Sequence, residues 1–384
     1  MRDAVIVDAV RTPFGAHGGL LRDTHPQDLA AEPLKALEDR NGFDPDIVDD
    51  VIYGCITPVD EQSKNIGRLA PMVAGWGDGI PGVQLHRFCG SGQQAVNFAA
   101  ANVESGRQDV VVAGGVEHMT RIPMGSDGEL SDMSDTYYEE FDEITHQGEG
   151  AERIAEKYDL TREDVDQIAV DSQKRWSEAW EAGYYDNQVV PVETEVDGEA
   201  VTVERDGNPR PGTDMETLSE LPLAFREEGN GVHHAGNSSG IVDGSSAALI
   251  TSREIAEERG WDPLAKIRET QVVGADPLLN LTGPIPATEE VMAKSDLDLE
   301  DIDLFEVNEA FASVVGAWLE ETGVPWEKTN VNGGAIAHGH PPGATGTMLL
   351  GKLAHELERT GNDFALSTMC IGYGQGIATI IERL

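Results

Sequence analysis

The sequence predicts an α/β protein built from two similar halves. Two observations carry this. Short apolar, β-branched runs alternate with segments of helical period along the chain. A strand–loop–helix–strand unit also occurs twice. In the first half, QLHRFCGSGQQAVNFAAANVESG leads into RQDVVVAGG. In the second, NGGAIAHGHPPGATGTMLLGKLAHELERTG leads into NDFALSTMC. Val96, Ala99, Ala100 and Val103 form an apolar helical stripe that stops at Gly106, and Leu350, Leu353, Ala354 and Leu357 form another that stops at Gly361. The interval from Gly106 to the strand end at Gly115 equals that from Gly361 to Cys370.

In chain order, strands are expected over residues 4–7, 51–54, 110–113, 247–251, 305–307 and 365–369, with a last one over 377–381. Helices are expected over 28–39, 93–104, 164–182 and 310–321, the third opened by Thr161 with Glu163 and Asp164. Residues 119–240 break the alternation. They are acidic, rich in Gly, Pro and Asp, and show one strong helical pattern, so they read as an inserted loop region that carries binding and oligomer contacts. The expected organisation is a first half over 1–118 and 241–262, the insertion over 119–240, and a second half over 263–384, hinged at 261–266.

The chain has 384 residues, with 70 acidic against 27 basic side chains and a net charge of −43. That balance argues against nucleic acid and anionic membranes as partners, since both attract Lys and Arg. The acids are spread between apolar periodic segments, which argues against disorder. Repulsion at this charge density is relieved by salt, whose Debye length is about 3 Å at 1 M, so a high-salt cytoplasm is the expected setting. The three cysteines, Cys55, Cys89 and Cys370, are too few and odd in number for a disulfide framework. The first apolar run is interrupted by Asp8 and Arg11, unlike a signal peptide, and no run of about 18 apolar residues suggests a membrane span.

Four segments could carry chemistry. Cys89 stands between Phe88 and Gly90-Ser91-Gly92, just before a helix whose positive end stabilises a thiolate; a buried structural cysteine is the alternative. His338-Gly339-His340-Pro341 offers a base or an oxyanion donor; a metal pair lacks further ligands nearby. Cys370 followed by Ile371-Gly372-Tyr373-Gly374-Gln375-Gly376 at a strand end offers a second thiol, and without a following helix it is a poor dinucleotide motif. Asn308 is either a helix cap or an active-site amide that holds a water.

Together these segments resemble the thiolase family along essentially the whole chain, most closely its Cys-His-Cys members. The resemblance is carried by VDAVRTPFG at 7–15, RFCGSGQQAV at 87–96, GGVEHM at 114–119, AGNSSGIVDG at 235–244, GPIPA at 283–287, EVNEAF at 306–311, NGGAIAHGHPPGATG at 332–346 and CIGYGQG at 370–376. It implies the thiolase fold, two βαβαβαββ halves packed as a five-layered αβαβα core. It implies 3-ketoacyl-CoA cleavage through an acyl-cysteine, in the degradative branch, with a biosynthetic acetoacetyl-CoA thiolase as the alternative.

By the same resemblance Cys89 is the nucleophile, His340 the group that takes its proton, and Cys370 the second acid and base. Asn308 holds a water in one oxyanion hole, and the N–H groups of Cys89 and Gly372 form another. Ser239 contacts the CoA pantetheine, and His146 lies near the substrate. CoA is a substrate rather than a resident cofactor, no metal is expected, and the assembly is a homodimer or homotetramer. Departures from the family pattern are His338 for an apolar residue, Gln147 and Asn280 for methionines of some biosynthetic members, Tyr373 for a small or apolar residue, Pro342 for a leucine and Pro222 for an arginine that often contacts the CoA nucleotide. His338 either reaches the pocket beside His340 or lies on the back of the loop. A ketoacyl synthase would leave Cys370 unexplained, and an inactive acyl-CoA-binding scaffold would leave the whole set unexplained.

Overall fold

The computed structural model describes residues 2–128, 133–141, 143–227 and 229–384. The chain opens with a fully buried strand, β1 (Ala4–Arg11), and a short β2 (Gly15–Ala16). Helix α1 (Pro26–Asn41) starts with proline at its first position, is capped by the His25 side chain and stops at Gly42, whose φ of 60° is left-handed. There follow β3 (Asp50–Gly54), α2 (Ile66–Val73), β4 (Gly82–Leu85), α3 (Ser91–Glu104) and β5 (Val110–His118). Between β5 and the next long strand lie α4 (Asp135–Glu140), α5 (Gln147–Lys157), α6 (Arg162–Glu181), the hairpin β6 (Val192–Val196) and β7 (Glu199–Val203), and α7 (Met215–Ser219). The rest of the chain forms β8 (Val242–Ser252), α8 (Arg253–Arg259), β9 (Ala265–Gly274), α9 (Pro284–Lys294), β10 (Leu304–Val307), α10 (Ala312–Thr322), α11 (Ala335–His338), α12 (Pro342–Thr360), β11 (Phe364–Ile371) and β12 (Gln375–Arg383).

The main sheet runs β10-β11-β12-β9-β1-β8-β5-β3-β4, with β2 paired to β8. The two ends of this order are copies. In β1-β8-β5-β3 the successive pairs are antiparallel, antiparallel and parallel. In β9-β12-β11-β10 they are the same. Even β4, which pairs in parallel with β3, has a remnant counterpart in the parallel bridge between Phe305 and Thr329. The copies join through a short contact of β1 with β9, in which Val5 faces Lys266 and Ile6 faces Ala265.

Three apolar clusters set the layering. Leu29, Leu34 and Leu37 of α1 pack on one face of the first copy, against Val5, Val112 and Leu249. Ala99 and Val103 of α3 meet Leu350, Leu353 and Leu357 of α12 between the two copies. Val291 of α9 and Val315 and Trp318 of α10 cover the outer face of the second copy. The result is helix, sheet, helix, sheet, helix.

The strong helix expected in the stretch 119–240 is α6, and the described residues there also hold α4, α5, α7 and the β6–β7 hairpin. Two expectations are corrected. Residues 265 and 266 are not a free hinge but the start of β9, paired with β1, and Trp261 packs on Phe43. The helix expected from 310 starts at Ala312, because Asn308–Phe311 is held as a loop: Ser239 N donates to Ala310 O, and Ala312 N to Asn237 O.

The segment between β5 and β8 is tied to the sheet by a buried ion pair. Arg11 of β1 makes two bonds to Asp206, Nη1 to Oδ1 at 2.5 Å and Nη2 to Oδ2 at 2.8 Å, with the two side chains 1% and 0% exposed. Asp206 also accepts from Phe14 N and from Trp176 Nε1 of α6. The Arg11 guanidinium lies over the Phe14 and Tyr185 rings. Removing one partner of such a pair leaves an uncompensated buried charge, at a cost of about 3–5 kcal/mol. Asp206→Ala should therefore lower the melting temperature far more than Arg22→Ala, whose partner Asp197 is 81% exposed. Calorimetry on both variants checks this, and equal shifts would contradict the role given to the buried pair.

Candidate active site

Cys89 sits in the tight connection between β4 and α3. The preceding Phe88 is forced to a φ of 43°, a region that L residues rarely adopt. Ser91 Oγ braces the turn by accepting from Arg87 N and donating to Phe88 O. Gly90 is the helix N-cap and has no side chain to satisfy the first N–H groups, so the positive end of α3 is left without a side-chain cap at the turn that carries Cys89. Cys89 is 3% exposed and lines the main cavity.

His340 comes from the corresponding place in the second copy, just ahead of α12. Its ring Nδ1 lies 2.7 Å from Thr345 Oγ1, and that hydroxyl donates onward to Pro341 O. The network therefore assigns the ring proton to Nδ1 and leaves Nε2 as an acceptor, 3.5 Å from Asn308 Nδ2. Burial pushes the His340 pKa down to about 4, so the ring is neutral near pH 7.

Asn308 follows β10, and Cys370 lies near the end of the neighbouring parallel strand β11, still paired with Gly376 of β12; Asn308 N bonds to Thr368 O. Asn308 Oδ1 is buried and has no protein partner. Cys370 is fully buried, and its thiol pKa is pushed well up by burial and, secondarily, by the nearby Cys89. Cys55, the third cysteine, lies against Glu117, and burial likewise raises its thiol.

A cavity of about 370 Å³ opens onto Cys89 and His340. Ile56, Met119, Met124, Phe225 and Phe311 give it apolar walls, and Ser239 and Gly240 a polar edge. Ser239 N bonds to Ala310 O and His340 N to Gly240 O, so this wall is clipped to both reactive loops. Gly372 borders a small adjoining cavity with His146, Asn280 and Tyr373, and Gln147 borders both cavities. His146, expected near the substrate, is an exposed N-cap of α5 and does not line the main cavity; its neighbour Gln147 does.

His338 ends the helical turn α11, so it does not alternate in an extended strand with His340. It is fully buried, contacts the Phe14 ring edge-on, and places Nδ1 2.7 Å from Gly339 O. Among the described residues no group of three or more His, Cys, Asp or Glu converges as metal ligands. Sequence reasoning missed Thr345, which orients His340, because its role depends on where α12 starts. Met124 and Phe225 were also missed, since they come from the irregular segment between β5 and β8, where no periodicity marks an inward side chain.

Family models for the thiolase N-terminal domain and the thiolase C-terminal domain match residues 4–254 and 261–383. The chain is 42% identical over 395 residues to a steroid 3-ketoacyl-CoA thiolase of Mycobacterium tuberculosis, covering 100% of this chain and 95% of that one. It is 38% identical to the mitochondrial 3-ketoacyl-CoA thiolase of Bos taurus, covering 100% and 99%. The crystal structure of the Bacillus anthracis acetyl-CoA acetyltransferase superposes with a TM-score of 0.92 at 38% identity, covering 100% and 99%.

The His338 environment yields a prediction. Burial holds its pKa well below the ordinary value, so the folded state resists a proton that the unfolded chain takes up below about pH 6.5. Its contribution therefore costs stability increasingly as pH falls through 6.5. In His338→Leu the melting temperature relative to the unsubstituted chain should rise between pH 7 and pH 5, while activity stays within about tenfold, or ~1.4 kcal/mol of barrier. A difference independent of pH, or a loss of activity as large as that of His340→Ala, would contradict this reading.

Proposed function

The chain belongs to the thiolase family, and from that membership we infer that it is an acyltransferase that cleaves 3-ketoacyl-CoA with CoA. The products are acetyl-CoA and an acyl-CoA shortened by two carbons. The observation that carries the reading is the convergence of Cys89 and His340 on one cavity, with Asn308 and Cys370 packed directly behind them.

We assign Cys89 as the nucleophile. Its proton passes to Nε2 of His340, and the sulfur attacks the C3 carbonyl carbon. The N–H groups of Cys89 and Gly372 receive the oxyanion of this tetrahedral intermediate. The C2–C3 bond then breaks, leaving the acyl group on Cys89 and an acetyl-CoA carbanion, whose negative charge gathers on the thioester oxygen. His340 and a water held by Asn308 stabilise that oxygen, and Cys370 gives its proton to C2. A thiol kept protonated by burial suits that acid role. In the second half the Cys370 thiolate takes the proton of CoA, whose sulfur attacks the acyl-cysteine; the Cys89–acyl bond breaks, and Cys89 recovers its proton from His340. Ser239, on the cavity edge, is assigned to the pantetheine arm. His146, which borders the small adjoining cavity, is kept as a candidate contact to the same substrate.

The apolar walls of Ile56, Met119, Met124 and Phe225 favour acyl groups longer than acetyl, hence the degradative direction. The likeness to an acetyl-CoA acetyltransferase favours a second reading, acetoacetyl-CoA synthesis. Relative thiolysis of acetoacetyl-CoA and of a long-chain ketoacyl-CoA separates the two. Residues 119–240 are read as the inserted binding region, between halves 1–118 plus 241–262 and 263–384. The assembly is proposed to be a homodimer or homotetramer, in the cytoplasm of a halophile.

Cys89→Ala should abolish turnover, and intact-mass analysis after incubation with acyl-CoA should show one acyl adduct on the unsubstituted chain, mapping to residue 89. An adduct at Cys55 would sink the assignment. Cys370→Ala should lose thiolysis almost completely while still acylating Cys89 slowly. Near-normal turnover in that variant would remove the second thiol from the mechanism.

The net charge of −43 predicts that activity and melting temperature rise with KCl into the molar range, because both the chain's self-repulsion and its repulsion of anionic CoA are screened. A melting temperature that stays flat across that range would refute the halophilic setting.

A further inference from the structure

Asn280 lies in the loop between β9 and α9, 3% exposed, with a left-handed φ of 62°. It makes three bonds to two different parts of the site. Its Oδ1 accepts from Tyr373 N at 2.7 Å, and its backbone oxygen accepts from Gly374 N at 3.1 Å. Its Nδ2 donates to Thr145 O at 2.7 Å. The first two hold the turn between β11 and β12, which follows Cys370 and contains Gly372. The third holds the segment that enters α5 and carries Gln147.

These two pieces meet across the small cavity beside the reacting thiols. A Cβ on Gly372 would lie 3.3 Å from Gln147 Nε2 and 3.8 Å from the Phe88 ring, next to Cys89. Tyr373 also has a positive φ, 63°, and its ring lies 5.1 Å from that of Phe88. A tyrosine in this region is costly unless its surroundings hold it there. Asparagine suits position 280 because it tolerates the left-handed region and carries an acceptor and a donor on a short stem. A methionine at this position could supply neither side-chain bond.

We propose that Asn280 is a positioning residue for the thiolase reaction, its Oδ1 fixing the turn that presents the Gly372 N–H to the reacting carbonyl while its Nδ2 locks the Gln147 segment against that turn. The inference rests on the assignment of Cys89, Cys370 and Gly372 made above. It adds a residue that acts on the reaction through the turn it holds. Misplacement of an oxyanion donor by about 1 Å can cost on the order of a hundredfold in rate, so the expected effect falls on kcat rather than on CoA binding.

The test uses the full chain and three forms: unsubstituted, Asn280→Gly and Asn280→Asp. Glycine keeps the left-handed backbone and removes both side-chain bonds. Aspartate keeps the acceptor for Tyr373 N and loses the donor to Thr145 O. Thiolysis of acetoacetyl-CoA is measured and normalised to the fraction of chains that form the Cys89 acyl adduct, so that a merely unfolded fraction drops out. The expected result is a kcat at least tenfold lower for Asn280→Gly with KM for CoA within about twofold, and a loss of about threefold or less for Asn280→Asp. Unchanged kcat in Asn280→Gly overturns the proposal. So does a loss in Asn280→Asp of tenfold or more in chains that melt normally, and this arm stands alone if the glycine variant does not fold. Absence of both adduct and turnover in the unsubstituted chain would instead overturn the underlying assignment of the reaction.

Discussion

The structure depends on one close approach, the start of α12 driven into the first copy of the sheet. The Gly343 carbonyl oxygen lies where a Cβ on Gly54, Gly92 or Gly115 would need to be, at 2.7 Å for Gly54 and 2.9 Å for Gly92. A Cβ on Gly343 would collide with the carbonyls of Val116 and Gly54, and one on Gly346 with the backbone of Gln93. Only glycine permits backbone to meet backbone in this way. The contact brings the N-terminal ends of α3 and α12 together, and the residues ahead of those ends are Cys89 and His340. A side chain at any of these positions would separate the thiol from the imidazole before it touched either.

Buried carboxylates secure the loops around that contact. Glu117, at the end of β5, accepts from Ile56 N, Thr57 N, Gln62 Nε2 and Gly343 N. It thereby fixes the cavity wall at Ile56 to the start of α12. Glu309, next to Asn308, accepts from Ser172 Oγ, Asn330 Nδ2 and Ile336 N, and so joins α6, the end of β10 and the loop before His340. Burial raises the pKa of both, and their donors pull it back down. Each carboxylate substitutes for the regular backbone pairing that a Gly-rich loop cannot supply itself.

Much of this was legible in the sequence because it depends on local period. The stripes of α3 and α12, their stop glycines and the matching strands identified the repeat, and the expected strands lie inside β1, β3, β5, β8, β10 and β11. What was not legible depends on distant partners. The helix expected from Ala310 is displaced because Ser239 and Asn237 capture the backbone ahead of Ala312. β9 was hidden because its alternation is half-buried and interrupted by charged residues; its pairing with β12 and β1 makes it a strand. His146 and Gln147 are neighbours, and only the direction in which α5 enters decides which of them faces the cavity.

The matching strand orders of the two halves also bear on asymmetry. Two separate copies of one subunit that meet about a twofold axis must present the same residue to that axis from both sides. At the equivalent helix starts such a pair carries the same residue in both copies, a thiol with a thiol or an imidazole with an imidazole. Carrying both copies on a single chain removes that restriction. The two equivalent helix starts are then free to diverge, one into an electron-pair donor toward carbon and the other into an acceptor for its proton, while the scaffold beneath them keeps its symmetry.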